Sequence, residues 1–397
     1  MKKKTNRFLP YSRQTIDNKD ISSVIKYLKN DFITQGSNIK DFEKNFAKFV
    51  GSKYAVACSS GTAALHLACL ALGLNKNSNL LSPTVSFLAS ANCAQFLGAN
   101  TYFTDVENEN FTISIDSLKK ELKKRKIDVV IAMHMGGQPA DLEEIFNLQK
   151  KFNFKIIEDA CHALGSKYKN TRIGSCKFSD ISTFSFHANK VITTGEGGMI
   201  TTNDKNIFEK ILKLRTHGAH KNKREFENSN LALDEKGNSN MWYYEMKEVG
   251  YNYRLTSFQS ALGNSQLKKI NFFLKRKKKI AKLYRSLLKN NNLIKLLPEN
   301  KNSITANHLF TLLIDFNRLG KSRNFIMNKL KLKGIGSQVL YIPLHLQPYY
   351  QKKYGYRLGD FPEAEKYYSD CLSIPIFSDL KDQEVKYIAK NINEIIS

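Results

Sequence analysis

The chain has 397 residues and a formal net charge of +26, and 42% of its residues are hydrophobic and 25% are charged. This length predicts a large core and two domains, and this composition excludes a wholly disordered chain. A basic chain can bind nucleic acid, but the Lys and Arg residues are spread along the sequence without a nucleic-acid-binding motif or interleaved aromatic residues, so we expect no nucleic-acid partner.

The first elements alternate between helix and strand. Residues 1–20 are predicted to form an N-terminal arm, and a helix is predicted to start at Asp17 or Asp20. After an amphipathic helix over residues 39–51, KYAVACSS is a short strand, and a small-residue turn, Ser60-Gly61-Thr62, leads into the apolar helix AALHLACLALG. A helix start directly after a strand presents unpaired N–H groups to an anion, although many such turns bind nothing.

Strand and helix patterns continue to alternate as far as GGMITTN at residues 197–203. This alternation predicts an α/β fold with a large, mostly parallel sheet covered by helices on both faces. Ligands of such sheets bind at the carboxyl ends of the strands. The candidate residues at or just after strand ends are Ser60-Gly61-Thr62, Phe87, Glu158-Asp159 and Lys190.

The C-terminal part of the chain predicts a smaller α+β domain. Residues from Thr256 to about Lys289 have one continuous helical pattern, which predicts a long bridging helix. HLFTLLIDF and IGSQVLYIP are predicted strands of the smaller domain, and the polar residues 220–240 are predicted to form a mobile surface excursion. The predicted domains are the arm (1–20), a large domain (21–255), and the bridging helix with the small domain (256–397).

The stretch SFHANKVITTGEGG, residues 185–198, places Lys190 between a short apolar strand and a glycine-rich bend. Most lysines of so basic a chain are solvated surface charges. A lysine held between rigid elements can instead lose its proton on burial and become a nucleophile that forms a Schiff base with an aldehyde. Lys190 is therefore a candidate catalytic residue.

Asp159 ends the apolar segment KIIEDA, 31 residues before Lys190. It could simply cap the following turn. It could also pair with the protonated ring nitrogen of pyridoxal 5′-phosphate, whose ring Phe87 could stack against. His162 could lie on the other face of that ring or reach its hydroxyl oxygen, although such a histidine is more often a packed or capping residue.

Other classes of protein are disfavoured by simpler features. The six cysteines form no CxxC pair and several lie in apolar segments, which favours a reduced, cytoplasmic protein. No apolar run reaches 18 residues, and the basic N-terminus has no apolar core behind it, so we expect neither a membrane span nor a secretory signal. We also expect no metal site.

Six motifs, in this order, resemble the DegT/DnrJ/EryC/StrS family of sugar-nucleotide aminotransferases. They are SSGTAAL, SPTVSFLASANC, IIEDACHALGSKY, SFHANKVITTGEGG, LRTHG and GYNYRLTSFQSALG. The resemblance runs from about residue 8 to residue 395. It implies the fold of the aspartate aminotransferases (type I) and a pyridoxal 5′-phosphate cofactor.

The resemblance also implies roles for individual residues. Lys190 would form the Schiff base and move a proton, Asp159 would hold the ring nitrogen and His162 the ring oxygen. The residues implied to bind the cofactor are Gly61, Thr62, Phe87, Asp159, His162, Ser185, Lys190 and Asn252. Asn252 would come from a neighbouring subunit, which implies a homodimer with shared sites. The residues implied to contact the substrate are Tyr11, Phe32, Ile33, Thr34, Ser60, Ser185, Asn252 and Tyr341.

Within the family, HALGSKYKNTRIG, WYYEMKEVGYNYRL and QVLYIPLHLQPYY are similar to segments of the pseudaminic-acid-pathway enzymes. Those enzymes transfer an amino group, here expected to come from L-glutamate, to C4 of a UDP-4-keto-6-deoxy-N-acetylhexosamine. The alternatives are an aminotransferase for another nucleotide keto sugar, a related sugar dehydratase and a non-catalytic basic binding protein. Dehydratases of this kind lack the Schiff-base lysine, so Lys190 disfavours them.

Overall fold

The computed structural model describes residues 8–29, 32–298 and 302–397 of the chain. The helices of this part are α1 (Asn18–Leu28), α2 (Ser37–Val50), α3 (Gly61–Ala71), α4 (Leu88–Gln95), α5 (Ile115–Lys124), α6 (Leu142–Phe152), α7 (Lys205–Leu214), α8 (Ser229–Ala232), α9 (Ser257–Lys268), α10 (Ile270–Leu288), α11 (Phe316–Leu319), α12 (Arg323–Leu332), α13 (Pro348–Tyr354), α14 (Pro362–Asp370) and α15 (Asp382–Ile395). Short 3₁₀ helices span Met135–Gly137, Lys223–Glu225 and Leu344–Leu346.

The strands of the same residues are β1 (Tyr54–Cys58), β2 (Asn79–Pro83), β3 (Asn100–Thr104), β4 (Val129–Met133), β5 (Lys155–Asp159), β6 (Lys167–Tyr168), β7 (Thr171–Arg172), β8 (Ile181–Ser185), β9 (Gly198–Thr202), β10 (Ala219–His220), β11 (Glu245–Met246), β12 (Ile294–Leu296), β13 (Ser303–Ile304), β14 (Phe310–Ile314) and β15 (Cys371–Ile374).

The large sheet has seven strands in the order β1-β9-β8-β5-β4-β2-β3. The pairs from β8 through β3 are parallel, and β9 runs antiparallel to both of its neighbours. Helices α4, α5 and α6 connect β2 to β3, β3 to β4 and β4 to β5, as parallel strands require, whereas β6 and β7 lie between β5 and β8. The predicted mostly parallel α/β sheet is confirmed.

Both faces of the large sheet are buried, because successive side chains of a strand point to opposite faces. In β5, for example, Ile156 belongs to the core beneath α2 and α6, whereas Ile157 belongs to the core beneath α3 and α7. Helix α3 is apolar all round because it is buried between the sheet and its neighbouring helices. Two packed faces hold the strand ends, and so the candidate site, in fixed positions.

The small domain is built on the antiparallel sheet β12-β14-β15. A separate hydrophobic core lies between this sheet and helices α10, α12 and α15. Helix α10 contributes to both cores of the molecule: Ile270 and Phe273 lie in the core of the large domain, whereas Ile280 and Tyr284 lie in that of the small domain. The chain passes from the core of the large domain to that of the small domain within α10. The domain boundaries predicted at residues 20 and 255 remain proposals.

The predicted single bridging helix from Thr256 to about Lys289 is wrong, since Lys269 separates α9 from α10. The Lys269 backbone has φ −99° and ψ 0° and its N–H bonds the Gln266 carbonyl, which tightens the turn. The Lys269 side chain pairs with Asp17 at 2.9 Å and with Asp20, at the start of α1. The helical spacing continues on both sides of the break, and for this reason the sequence shows no interruption.

The predicted strand IGSQVLYIP is also wrong. Residues 335–343 form no strand and make single bridges, from Ile335 to Leu9 and from Gln338 to Ser373. The backbone of the N-terminal arm occupies one side of this segment, where the Gly336 N–H donates to the Leu9 carbonyl at 2.8 Å. A continuous ladder with β15 does not form, and the segment instead carries Tyr341 towards the large domain.

The segment over residues 220–240 lies at the surface, as predicted, and is held by short elements rather than by a core. β10 pairs with β11 in a two-residue ladder, and the intervening residues include α8. Several apolar side chains that follow are exposed, among them Met241 and Tyr244, and Trp242, the one tryptophan of the chain, is 73% exposed. None of the helices in the described ranges is long and apolar enough to cross a bilayer.

Candidate active site

The loop between β8 and β9 carries Lys190 and is closed by its own hydrogen bonds. The Phe186 N–H donates to the Gly197 carbonyl at 2.8 Å, and the Thr194 N–H donates to the Phe186 carbonyl at 3.0 Å. Gly195 adopts φ +81°, a left-handed conformation that favours glycine at this bend. Lys190 itself is placed by a turn in which its N–H donates to the His187 carbonyl at 2.9 Å. The lysine therefore sits on a fixed loop at the carboxyl end of β8.

The side chain of Lys190 is half-buried and lies beside Cys161 and Asp159. Desolvation lowers the pKa of its ammonium, and the charges of Cys161 and Asp159 act in the opposite direction. A lowered pKa increases the neutral fraction of the amine at neutral pH. Neutral amine is the form that can attack an aldehyde or accept a proton.

Asp159 ends β5 and is 2% exposed. The Ser90 hydroxyl donates to its Oδ2 at 2.6 Å, and the Cys161 N–H donates to its Oδ1 at 3.1 Å. Ser90 in turn receives a hydrogen bond from the Ser86 hydroxyl at 2.6 Å. These donors hold the carboxylate in one orientation, beside the Lys190 ammonium. A carboxylate that pairs with a cationic heterocycle must be fixed in this way.

Glu158, the preceding residue, points to the opposite face of the sheet, where His134 Nε2 lies 3.0 Å from its Oε2. The Ser182 hydroxyl donates to its Oε1 at 2.8 Å and the Ser179 hydroxyl donates to the same oxygen. Burial raises the pKa of this carboxyl, but the hydrogen bonds and the charge of His134 outweigh it, so the pKa lies below its ordinary value. Glu158 therefore stabilises the fold and is not part of the site.

We expect Glu158→Gln to lower the free energy of unfolding by ~2 kcal/mol at neutral pH, because a buried charge network loses its centre. The folded-state pKa of Glu158 is below its unfolded value of about 4.3. Its contribution is therefore complete above that value and is lost as pH falls through the folded-state pKa. Urea unfolding midpoints between about pH 3 and about pH 7 should fall less steeply for the variant than for the wild type. Parallel curves would contradict this assignment.

The first turn of α3 faces the Lys190 loop. The Ser60 hydroxyl caps α3 by accepting the Ala63 N–H at 3.0 Å. Gly61 and Thr62 belong to the same first turn, whose N–H groups have no carbonyl acceptor within the helix. A Cβ at Gly61 would lie 2.8 Å from Ser185 Cβ, closer than real contacts allow. Glycine at this position therefore lets the start of α3 pack closely against Ser185. The N–H groups of such a helix start can bind an anion such as phosphate.

His162 is fully buried behind the strand ends, and its Nε2 lies 3.1 Å from the hydroxyl of Tyr341. The His308 ring packs against it with centroids 4.3 Å apart. Burial and the charges of Lys190 and Lys277 hold the pKa of His162 well below its usual range. A neutral imidazole here can exchange a hydrogen bond with a ring oxygen, and its Nδ1 has no partner among the described residues.

Phe87 and Tyr341 line the open side of the site. Phe87 precedes α4 and is half exposed, and its ring centroid lies 5.8 Å from that of Tyr341. The N-terminal arm also reaches this place, because the Asn189 amide donates to the Tyr11 hydroxyl at 3.0 Å and the Ser12 hydroxyl donates to the Asn189 carbonyl. Tyr11 and Tyr341 are thus brought together with Lys190 from the two ends of the chain.

Asn252 and the Phe32-Ile33-Thr34 loop, by contrast, contact parts of the chain away from Lys190 and Asp159. Thr34 bridges Thr256, and the Ile33 carbonyl accepts the Ser257 N–H at 2.9 Å. Asn252 bridges Thr216 and is exposed. Phe32 is 71% exposed. These residues are exposed in the single chain.

Three residues of the site were missed by sequence reasoning: Ser90, Asn189 and His308. Ser90 and Asn189 lie within the quoted motifs, so their positions beside Asp159 and Lys190 could have been inferred from the turn and helix that carry them. His308 precedes an apolar strand of the small domain and gives no comparable pattern. Its contact with His162 depends on the packing of the two domains.

The residues present fit pyridoxal 5′-phosphate. A buried carboxylate suits a protonated ring nitrogen, a lysine with a lowered pKa suits an aldehyde, and the glycine-lined start of α3 suits a phosphate. The unpartnered Nδ1 of the His162 ring shows that this buried group still has hydrogen-bonding capacity. Within the described part of the chain, no group of three or more His, Cys, Asp or Glu side chains is placed to hold a metal ion.

Comparisons with known proteins agree with this site. The model of the DegT/DnrJ/EryC1/StrS aminotransferase family matches residues 14–393. GDP-perosamine synthase of Escherichia coli O157:H7 is 33% identical over 98% of this chain and 99% of its own length. The UDP-4-amino-4,6-dideoxy-N-acetyl-beta-L-altrosamine transaminase of Campylobacter jejuni subsp. jejuni serotype O:23/36 is 34% identical over 98% of this chain and 97% of its own.

Among solved structures, PseC of Helicobacter pylori, an aminotransferase involved in the biosynthesis of pseudoaminic acid, superposes with a TM-score of 0.88 at 29% identity, covering 98% of this chain and 99% of its own. The putative sugar aminotransferase Spr1654 of Streptococcus pneumoniae, solved in PLP and PMP forms, superposes with a TM-score of 0.86 at 26% identity over 98% of both chains. The chain therefore belongs to the DegT/DnrJ/EryC1/StrS aminotransferase family and is a sugar-nucleotide aminotransferase that depends on pyridoxal 5′-phosphate.

Proposed function

We propose that this enzyme transfers the amino group of L-glutamate to C4 of a UDP-4-keto-6-deoxy-N-acetylhexosamine. The product is then UDP-4-amino-4,6-dideoxy-N-acetyl-beta-L-altrosamine, a precursor in pseudaminic acid biosynthesis. The observation that carries the substrate is the 34% identity, over nearly the whole length of both chains, to a transaminase named for that product. The fold of Helicobacter pylori PseC supports the same assignment.

The reaction is carried by Lys190 and Asp159. Pyridoxal 5′-phosphate supplies an aldehyde that captures amines and a ring that withdraws electrons from the neighbouring carbon. Lys190, with its lowered pKa, provides the neutral amine that takes a proton from the amino donor's α-carbon and returns one at C4 of the sugar. Asp159, whose carboxylate accepts a hydrogen bond from the Ser90 hydroxyl, would pair with the ring nitrogen. Glutamate and the keto sugar use the site in turn.

The remaining groups bind and orient. We assign the phosphate to the first turn of α3 with Ser185, one ring face to Phe87, and the ring oxygen to His162. Tyr11 and Tyr341 are assigned to the sugar nucleotide, because both hydroxyls lie at the open side beside Asn189 and His162. The net charge of +26 favours the approach of a substrate that carries two phosphates.

We further propose that the enzyme is a cytoplasmic homodimer with shared sites. The exposure of Phe32, Ile33 and Asn252 within one chain supports this, since each is assigned to cofactor or substrate yet contacts neither Lys190 nor Asp159 in the described structure. A second chain would cover these apolar side chains and bring Asn252 and the Phe32-Ile33-Thr34 loop to its partner's site.

Another nucleotide sugar is the second candidate. GDP-perosamine synthase matches this chain about as well as the altrosamine transaminase does. Its name specifies a GDP-linked sugar, so the nucleotide base is a feature in which the two candidates differ. The amino-transfer chemistry of Lys190 and Asp159 is the same in both.

A direct screen distinguishes these substrates. Protein loaded with pyridoxamine 5′-phosphate is mixed in single turnover with UDP-4-keto-6-deoxy-N-acetylhexosamine, GDP-4-keto-6-deoxymannose and a dTDP-4-keto-6-deoxyhexose, and products are detected by mass spectrometry. We expect the UDP sugar to react at least ~100-fold faster than the others, because a site built for one base leaves buried polar groups unpaired with another. Faster reaction of the GDP sugar would replace the proposed substrate with the second candidate.

The shared site has its own test. Lys190→Ala and Asn252→Ala proteins are each assayed alone and after unfolding and refolding together. If Asn252 serves its partner's site, a mixed dimer contains one intact site, and refolding should restore about a quarter of wild-type activity. No restoration, with dimers confirmed by sedimentation, would overturn the shared site but not the amino transfer.

A further inference from the structure

His345 is a buried histidine to which the site described above gives no role. Its Nδ1 lies 2.8 Å from the Thr84 hydroxyl, and its Nε2 lies 3.0 Å from Oε1 of Glu365. Thr84 directly follows β2 of the large sheet, and Glu365 lies on α14. His345 itself is the last residue of the Tyr341 segment (residues 338–345). One imidazole therefore joins this segment to a strand end and to a helix.

The partners of His345 determine which nitrogen of the neutral ring carries the proton. The Glu365 carboxylate can only accept, so Nε2 is the donor and Nδ1 accepts the proton of the Thr84 hydroxyl. The same hydroxyl oxygen accepts the His345 backbone N–H at 3.2 Å, and the Thr84 carbonyl accepts the Leu344 N–H at 2.7 Å. Because Thr84 and His345 are both fully buried, water cannot replace a partner that is lost.

The Tyr341 segment is bound to the small domain at its start and to the large domain at its end. At the start, Gln338 and Ser373 of β15 exchange two backbone hydrogen bonds, of 3.0 and 2.8 Å. In the middle, the Tyr341 hydroxyl lies 3.1 Å from Nε2 of His162. At the end, the side chain and the carbonyl of Thr84 hold the segment. The position of the Tyr341 ring therefore depends on attachments to both domains.

Thr84 is also three residues before Phe87, whose ring centroid lies 5.8 Å from that of Tyr341. The Thr84 N–H donates to the Thr104 carbonyl, the last residue of β3, at 3.0 Å. Thr84 is thus fixed to the large sheet. The contact between Thr84 and His345 connects the chain segments of the two aromatic rings that line the open side of the site.

We propose that His345 is a positioning residue for the sugar half of the reaction. Through Thr84, it holds the Tyr341 segment at the distance from Phe87 that admits the sugar nucleotide. The proposal rests on the assignment of Tyr341 to the sugar nucleotide made above. Lys190 is held by the hydrogen bonds of its own loop, so the step with glutamate does not depend on this contact. Loss of the contact therefore impairs one half-reaction and spares the other.

The first test measures the attachment of the Tyr341 segment. His345→Ala would leave a void at a buried position, so the test uses Thr84→Val, which removes the hydroxyl and keeps the shape of the side chain. Amide hydrogen exchange of a peptide covering residues 338–347 is followed by mass spectrometry in the full-length protein. We expect exchange to be about 10-fold faster in Thr84→Val than in wild type, because a buried hydrogen bond is lost. Thr84→Ser keeps the hydroxyl and should exchange as wild type does.

Thr202→Val is the matched control for a lost buried hydroxyl. The Thr202 hydroxyl donates to the Asp180 carbonyl at 2.8 Å, and Thr202 pairs with the first residue of β8, at the end of that strand away from Lys190. Exchange in residues 338–347 should be unchanged in this variant. Equal exchange in Thr84→Val and wild type would overturn the proposal, as would equal acceleration in Thr84→Val and Thr202→Val.

The second test separates the half-reactions by stopped flow. Protein loaded with pyridoxamine 5′-phosphate is mixed with the keto sugar that the wild type aminates fastest, and protein loaded with pyridoxal 5′-phosphate is mixed with glutamate. In Thr84→Val we expect the half-saturating sugar concentration to rise about 10-fold, whereas the rate with glutamate stays within about 2-fold of wild type. Equal losses in both half-reactions, or a loss in neither, would overturn the proposal. A wild-type protein that aminates no sugar would overturn the proposed function instead, and hydrogen exchange would still decide the role of His345.

Discussion

Lys190→Ala is expected to lower the rate of amino transfer by at least ~10⁴-fold, because one substitution removes both the covalent capture of the cofactor and the group that moves the proton. The change should leave the fold intact, since the side chain is half-buried and the loop is closed by backbone hydrogen bonds of Phe186 and Thr194. The protein should still bind pyridoxal 5′-phosphate through α3 and Asp159, but the bound cofactor should dissociate on dialysis.

The measurement combines single-turnover kinetics with absorbance before and after addition of glutamate. Wild-type protein should change its visible spectrum within the mixing time of a stopped-flow instrument or soon after, whereas the variant should change far more slowly. Lys177→Ala, an exposed lysine that precedes β8, is the matched control and should behave as wild type. A variant that keeps more than about one hundredth of the wild-type rate would exclude Lys190 as the proton carrier.

Asp159→Asn is the second substitution with a large expected effect, a fall in kcat of about 10³-fold with a smaller change in KM. Asparagine keeps the shape of the side chain and can still accept the Cys161 N–H, but it removes the negative charge that favours a protonated ring nitrogen. The Ser90 hydroxyl can rotate to accept from the new amide, so the fold should be little affected.

Glu158→Gln provides the matched control for this substitution, because the two carboxylates are adjacent in sequence and lie on opposite faces of β5. The Asp159 variant should lose turnover with a near-normal unfolding midpoint, and the Glu158 variant should lose stability with near-normal turnover per folded molecule. If both variants lost only stability, Asp159 would have no role at the cofactor beyond support of the sheet.

The position of the site could be predicted from sequence because it depends on local patterns. Alternation of apolar strands and helices fixes which strand ends share an edge, and Asp159 and Lys190 follow two neighbouring strands of that edge, β5 and β8. The glycine-rich bend after Lys190 and the small-residue turn at Gly61 are likewise short-range signals.

What could not be predicted depends on contacts between distant segments. His308 meets His162 across the domain junction, and Tyr11 reaches Asn189 from the opposite end of the sequence. Lys269 breaks a continuous helical pattern because two aspartates of α1 bind its side chain. The burial of Lys277 was not predicted because a run of lysines indicates a solvated surface. Its helical spacing from Phe273 and Ile280, however, places it on the buried face of α10.

The continuity of α10 through both hydrophobic cores limits how new specificity can be engineered into this enzyme. A chimera cut before Ile270 would bring foreign side chains into the core of the large domain, and one cut after Leu288 would leave Ile280 and Tyr284 facing foreign partners. The small domain is therefore not an exchangeable module between relatives. Altered sugar preference is better sought by point substitution of single side chains at the open side of the site, such as Tyr341, which belongs to neither of these two cores.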